Sequence, residues 1–312
     1  MNAIDLFCGC GGLSLGMQNA GINIVSSFDN WLPAIKCYEA NFTHPIFNLD
    51  LTDHELISSK ISEISMTQGL HIDLIVGGPP CQDFSQAGGR SEGARANLTA
   101  SFARTISKIR PQYFIMENVD RALKSKAYSE AREIFVDAGY GLTELVLDAS
   151  RCNVPQKRKR LFVCGSLGAE NEFLKQALLD GLNTSSMTVR DYLGESLGVD
   201  HYYRHPRNYN RRGIFSINEP APTVRGVNRP VPKGYLGHAG DPIKVDRDLR
   251  PLTTKERALL QTFPAEFILT GTKTDNEQMV GNAVPVNLGE YVGLKLVEYN
   301  RTLNAEREVR YG

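Results

Sequence analysis

No run of 18 apolar residues occurs in this 312-residue sequence, so no segment is expected to span a bilayer. The chain opens MNAIDLF, with no basic residues ahead of an apolar stretch, so no secretory leader is expected. Cysteine is scarce: six residues, none in a CxxC pair. That is too few for a disulfide scaffold and the wrong spacing for zinc, so the expectation is reduced thiols, no metal and a cytoplasmic location. Repeats and low-complexity tracts are missing, and 41% hydrophobic with 22% charged residues excludes a disordered tail, a collagen or a coiled coil. Net charge is missing too, with 35 basic and 35 acidic residues. The balance conceals a polarity. Residues 1–80 hold eight acids and two bases, whereas residues 201–235 hold seven bases and one acid. A local excess can be a solvated face. Polarity on this scale points to one end of the molecule meeting an anion.

The first 165 residues alternate short apolar runs with amphipathic stretches. Strands are expected at Ala3–Phe7, Ile22–Phe28, Ile72–Gly77, Tyr113–Glu117, Leu142–Asp148 and Leu161–Gly165, most of them apolar on both faces, as buried parallel strands are. Helical patterns lie near 31–42, 53–65, 98–109 and 127–138. The fold class is therefore α/β, a mostly parallel, doubly wound sheet, with ligands expected beyond the carboxyl ends of its strands. Segment 200–250, rich in Pro, Gly, Arg, Tyr and Asn, reads as a small irregular or β-rich unit. Order returns where Thr253 and Glu256 form a capping box opening a helix to about Phe263, and Tyr291–Asn300 reads as a closing helix.

Five motifs carry chemistry. Asp5-Leu6-Phe7-Cys8-Gly9-Cys10-Gly11-Gly12 joins a strand to a helix through glycines that let backbone approach a ligand. No Lys follows them, which excludes the triphosphate-binding GxxxxGK pattern. Asp29 ends the second strand 20 residues past Gly9 and is either a ribose-binding carboxylate or a helix N-cap. Asp50 is a similar candidate for an adenine amino group. Gly77-Gly78-Pro79-Pro80-Cys81-Gln82 delivers a cysteine after Pro-Pro at a strand's carboxyl end, the setting of a nucleophile rather than a packing thiol. Glu117-Asn118-Val119 places an acid after a buried strand, where burial raises its pKa toward neutrality. Gln156-Lys157-Arg158-Lys159-Arg160 sets alternate arginines on one side of a strand.

In this order, and with APTVRG at 221–226 and GNAVP at 281–285, these motifs resemble the C5-cytosine-specific DNA methyltransferase family of the bacterial modification type, over nearly the whole chain. The resemblance implies a Rossmann-like S-adenosylmethionine-dependent domain from residues 1–180 and 276–312, the C-terminal segment folding back, and a target-recognition domain from 181–275. It implies a reaction in which Cys81 adds to C6 of a flipped-out cytosine, C5 takes the methyl of S-adenosylmethionine, and S-adenosylhomocysteine leaves. Glu117 matches the acid at N3, Arg160 a residue near O2 and Arg158 a backbone-phosphate contact. Phe7, Gly9, Gly11, Gly12, Asp29, Asp50, Pro80 and Asn282 match the cofactor site. Residues 82–97, with Ser85, Arg90 and Arg95, match a loop that closes on DNA. Arg204, Arg207, Arg211, Arg212, Thr223 and Arg225 are the expected DNA contacts of the second domain.

Two departures stand out. Asp83 replaces the Gly common after Pro-Cys-Gln, and Asn30 stands where many members place an apolar or aromatic residue against adenine. The implied partners are double-stranded DNA and a cognate restriction endonuclease, with the protein a monomer. The alternatives are a transfer-RNA cytosine methyltransferase of the same fold, whose Cys-Phe-Thr motif is missing here, and a catalytically silent DNA-binding relative, which the intact Cys81, Glu117 and glycines disfavour.

Overall fold

The structure, a computed structural model, describes residues 1–80, 98–208 and 210–311, with side chains through Glu306. Cys81, Ser85, Arg90, Arg95 and the expected loop 82–97 lie outside the described residues.

Seven strands form the central sheet: β1 (Asn2–Leu6), β2 (Asn23–Asp29), β3 (Ile46–Asn48), β4 (Leu74–Gly77), β5 (Tyr113–Val119), β6 (Tyr140–Asp148) and β8 (Lys159–Leu167). Their order is β3-β2-β1-β4-β5-β8-β6. All pairings from β3 through β5 are parallel; β8 runs antiparallel to both β5 and β6. The order reverses between β1 and β4, where open α/β sheets place their ligands. β4 is buried along its whole length, as its uninterrupted Leu-Ile-Val run requires.

Helices cover both faces. On one side Ile57, Ile61 and Ile64 of α3 (His54–Gln68), Phe102 and Ile106 of α4 (Leu98–Ile109) and Phe135 of α5 (Lys126–Asp137) pack on the sheet. On the other, Leu13 and Met17 of α1 (Gly12–Asn19) meet Leu288, Val292 and Leu296 of the C-terminal helix, α10 (Val286–Tyr311). This helix extends beyond the expected Tyr291–Asn300 at both ends. Its start follows directly on Pro285, and residues 301–306 are mostly polar and exposed, so no apolar period marks them. The capping box forms as expected: Thr253 accepts from Glu256 N, opening α8 (Thr254–Leu260).

The remaining elements are α2 (Leu32–Glu39), β7 (Gln156–Lys157), α6 (Lys175–Asp180), α7 (Val189–Leu193), β9 (His201–Tyr203), β10 (Ile214–Ser216), β11 (Ala221–Pro222) and α9 (Lys273–Asn282). β9 and β10 form an antiparallel hairpin, and β11 pairs in parallel with β7. A third core joins the two halves of the chain. Tyr202, Phe215, Val224, Leu252 and Met279 share it with Cys10, Ala34 and Cys37. Among the described residues, a small cluster of Tyr203, Ile214 and Tyr235 belongs to segment 200–250 alone. No described helix is long and apolar enough to cross a membrane.

Candidate active site

β1 is followed by Phe7, whose φ of 60° is left-handed and strained for a bulky side chain. The turn brings Gly9 N to Asp29 Oδ2 at 2.8 Å. Asp29 Oδ1 accepts from Asn30 N and Trp31 N at 2.8 and 2.9 Å. Three of roughly four acceptor directions of this carboxylate are thus taken by backbone, leaving one for a ligand hydroxyl. Burial raises its pKa, and the three N–H donors oppose the rise. The expected ribose carboxylate therefore also organises the glycine loop.

The glycines are needed for two different reasons. A Cβ on Gly12 would stand 2.2 Å from Val284 O, so the loop packs against the GNAVP turn. A Cβ on Gly11 would strike the Phe42 ring at 2.3 Å. Gly11 faces that packing, and not the cleft; its role is to let the loop sit down on Phe42 and Tyr38.

The cleft holds about 490 Å³, within the range of small-molecule sites. Of the residues matched to a cofactor site, Phe7, Gly9, Gly12, Asp29, Pro80 and Asn282 line it. Asp50 is not among its walls: it is exposed, and its Oδ1 accepts from Thr52 N and Oγ1, while Leu51 lines the cleft. Trp31, missed in the sequence reading, lines it too. The chain's only Trp, two residues past Asp29, supplies the aromatic surface that Asn30 lacks.

At the other end of the cleft stands Glu117, buried at the end of β5. Arg160 Nε lies 2.9 Å from its Oε1. Burial raises the Glu117 pKa, and Arg160 and then Arg158 oppose the rise. A Cβ on Gly78 would come within 3.3 Å of Glu117 Oε2, so the Gly-Gly-Pro-Pro turn approaches the acid. Asn118 holds that turn, donating to Pro79 O at 2.9 Å. Its position between Glu117 and Val119 was legible; its positioning role was not.

Arg158 requires a correction. Expected at a DNA phosphate, it is 1% exposed. Nη1 donates to Val224 O at 3.0 Å, and Nη2 to Gly281 O at 3.1 Å and Ala283 O at 3.0 Å. Burial lowers its pKa to about 9, Arg160 adding to the effect. Gln156 and Gln261 brace the same junction: Gln156 Nε2 donates to Gln261 Oε1 at 2.7 Å, and Val224 N donates to Gln156 Oε1 at 2.8 Å.

A second cleft, about 920 Å³, continues from the first past Arg160 and Asn282. Arg204, Arg207, Arg211, Arg212, Thr223 and Arg225 all line it. Four of them are engaged. Arg204 Nη2 donates to Thr223 O at 2.8 Å, and burial lowers its pKa to about 10. Thr223 Oγ1 donates to Lys157 O at 2.7 Å. Arg225 donates to His205 O. Arg212 pairs with Glu219 and lies 4.3 Å from the Phe215 ring centroid. Arg207 and Arg211 are exposed. Among the described residues no cluster of His, Cys, Asp and Glu could hold a metal.

The profile of the C-5 cytosine-specific DNA methylases matches residues 1–298. The chain belongs to this family. It is 53% identical over 303 residues to the Type II methyltransferase M.HindV of Haemophilus influenzae, covering 96% of this chain and 98% of that one. It is 54% identical over 300 residues to M.HgiDI of Herpetosiphon aurantiacus, covering 96% and 95%. Among solved structures, the fission-yeast (S. pombe) Dnmt2 methyltransferase superposes with a TM-score of 0.70 at 18% identity, over 96% of this chain and 99% of that one, a likeness of fold. The architecture is the Rossmann-like methyltransferase fold, and enzymes of the family use S-adenosylmethionine.

Two outcomes test the site's construction. Arg158→Met strands the carbonyls of Val224 and Gly281, Ala283 O keeping Gln261 Nε2 at 3.0 Å, and should cost roughly 2 kcal/mol or more of stability, since each buried unsatisfied group costs about 1–3 kcal/mol. Urea unfolding measures it; a change under about 0.5 kcal/mol contradicts the role. The second concerns Asp5, fully buried beneath the glycine loop, where burial pushes its pKa up to about 7. An unfolded Asp titrates near 3.9. Between these values the folded protein keeps a proton that the unfolded chain has lost, so stability falls as pH rises, with the full penalty above about pH 7. In Asp5→Asn, stability relative to wild type should therefore climb across roughly pH 4–7. A constant difference across that range contradicts the reading.

Proposed function

We propose that this protein methylates C5 of a cytosine flipped out of a short duplex DNA site, and that its clefts divide the work between methyl donor and DNA. The observation that carries the reading is the buried Glu117, paired with Arg160 at 2.9 Å beside the turn that leads to Cys81. Cytosine C5 is too weak a nucleophile to take a methyl group unaided. Addition of the Cys81 thiolate to C6 forms the S–C6 bond and pushes electron density to C5, while Glu117 holds a proton at N3. After methyl transfer, loss of the C5 proton expels the thiolate and restores the ring. Arg160 fixes the Glu117 carboxyl and offers its remaining N–H groups to O2. The base must leave the stack to reach this depth.

The donor cleft fits S-adenosylmethionine on its own chemistry. Asp29 retains one acceptor for a ribose hydroxyl, Phe7 and Trp31 flank the space for an adenine, and the one basic residue among its described walls, Arg160, is paired with Glu117. S-adenosylmethionine, when bound, supplies an electrophilic methyl on a sulfonium. The acid-rich first 80 residues favour that cation. Residues 181–275 form the recognition part, whose arginine-lined cleft receives the duplex. The relatives' names, Type II methyltransferases, support a restriction–modification role with an endonuclease of the same site.

Transfer of labelled methyl from S-adenosylmethionine to unmethylated duplex DNA and to transfer RNA, side by side, tests the proposal. Label should enter DNA only, vanish in Cys81→Ser and drop about 10²- to 10⁴-fold in Glu117→Gln. Label in RNA alone overturns the substrate, and label in DNA with Cys81→Ser overturns the nucleophile.

A further inference from the structure

Segment 201–235 carries seven basic residues, and the structure separates them by what already holds them. Arg204, Arg212 and Arg225 are bound to the protein, by a carbonyl, by Glu219 with Phe215, and by a carbonyl respectively. Each would have to give up a partly buried contact to reach a base. Arg229 and Lys233 are exposed but do not line the basic cleft. Arg207 and Arg211 are the basic residues of this segment that line the cleft, are exposed, and have no side-chain hydrogen bond or ion pair among the described residues.

Their mounting is firm although no described residue holds their guanidinium groups. They lie in the connection between β9 and β10, whose base is tied by Arg204 N to Gly213 O at 2.7 Å. Asp241 Oδ1 accepts from both Gly213 N and Ile214 N at 2.9 Å, and Tyr235 Oη accepts from Gly213 N at 2.9 Å. Pro206 is buried, and Arg211 N donates to Asn208 O. A hairpin of this kind fits the duplex major groove, which admits a two-stranded ribbon. An arginine whose whole fork is unoccupied forms the bidentate pair to guanine O6 and N7, the commonest specific contact there.

We propose that Arg207 and Arg211 determine the site's specificity, each reading one guanine in the duplex around the target cytosine, whereas Arg204, Arg212 and Arg225 hold the hairpin that presents them. This deepens the DNA reading above and rests on it. Unmethylated genomic DNA treated with wild type, Arg207→Ala, Arg211→Ala or the conservative Arg211→Lys, and sequenced for modified cytosines with their flanks, tests it. In each Ala variant, discrimination at one guanine position should relax by about 10- to 100-fold while the other positions stay as selective as before. Arg211→Lys should relax the same position as Arg211→Ala. Thermal melting should match wild type, because both side chains are exposed. A uniform loss of methylation across all sequences, partial or complete, with a shallower salt dependence of binding, makes these arginines phosphate contacts and overturns the proposal. Absence of DNA methylation by the wild-type protein would instead overturn the functional reading itself.

Discussion

One buried guanidinium holds this molecule's two clefts together. Arg158 spans Val224, just past β11, and Gly281 and Ala283, at the end of α9, from a position between β7 and β8. The Val224 carbonyl lies in irregular backbone, and the Gly281 and Ala283 carbonyls at the C-terminal end of α9, where the helical ladder runs out of donors. A single planar fork satisfies them at once, and burial costs the cation its hydration in return. The close approach leaves no slack. A Cβ on Gly281 would sit 2.1 Å from Gly226 N, so the APTVRG and GNAVP segments touch backbone to backbone.

This junction is why donor and DNA meet at one place. Arg160 and Asn282 belong to the walls of both clefts, and Glu117 stands beside Arg160. On one side lies the glycine loop built around Asp29; on the other lies the arginine-lined hairpin. The charge polarity along the sequence thus becomes a polarity across a few residues of space: an acidic half suited to a sulfonium and a basic half suited to phosphates. At the boundary, Glu117 is an acid whose ionisation is opposed by burial and favoured by two arginines. That balance suits a group that must hold a proton near neutral pH.

Much of this was readable in the residues. Apolar runs placed the strands because β1, β4 and β5 are buried on both faces, and the Thr253–Glu256 box placed α8 because both halves of the motif form. Glu117 and Asp29 were legible because each lies at or near the carboxyl end of a strand, within or beside a motif. What was not legible depends on tertiary partners. Arg158 and Arg160 look alike in sequence, yet one is a strut and the other faces the acid. Helix α9 was missed because its apolar positions follow no clear period, although Thr272 and Asp275 form a capping box there. Asp50 and Trp31 exchanged places as cleft residues because strand β3 is three residues long and the following turn directs Asp50 outward to Thr52. The arginines of segment 201–235 could be sorted only once their partners were visible.

The central claim is covalent catalysis from the turn beside Glu117, and trapping the adduct tests it most directly. In a duplex whose target cytosine carries fluorine at C5, methyl transfer leaves no C5 proton to lose, so the S–C6 bond cannot break. Intact mass spectrometry after incubation with S-adenosylmethionine should find one protein joined to one methylated duplex strand, with the link mapped to Cys81. Methylation of ordinary DNA with no adduct on the fluorinated duplex, or a link at another residue, would contradict the account.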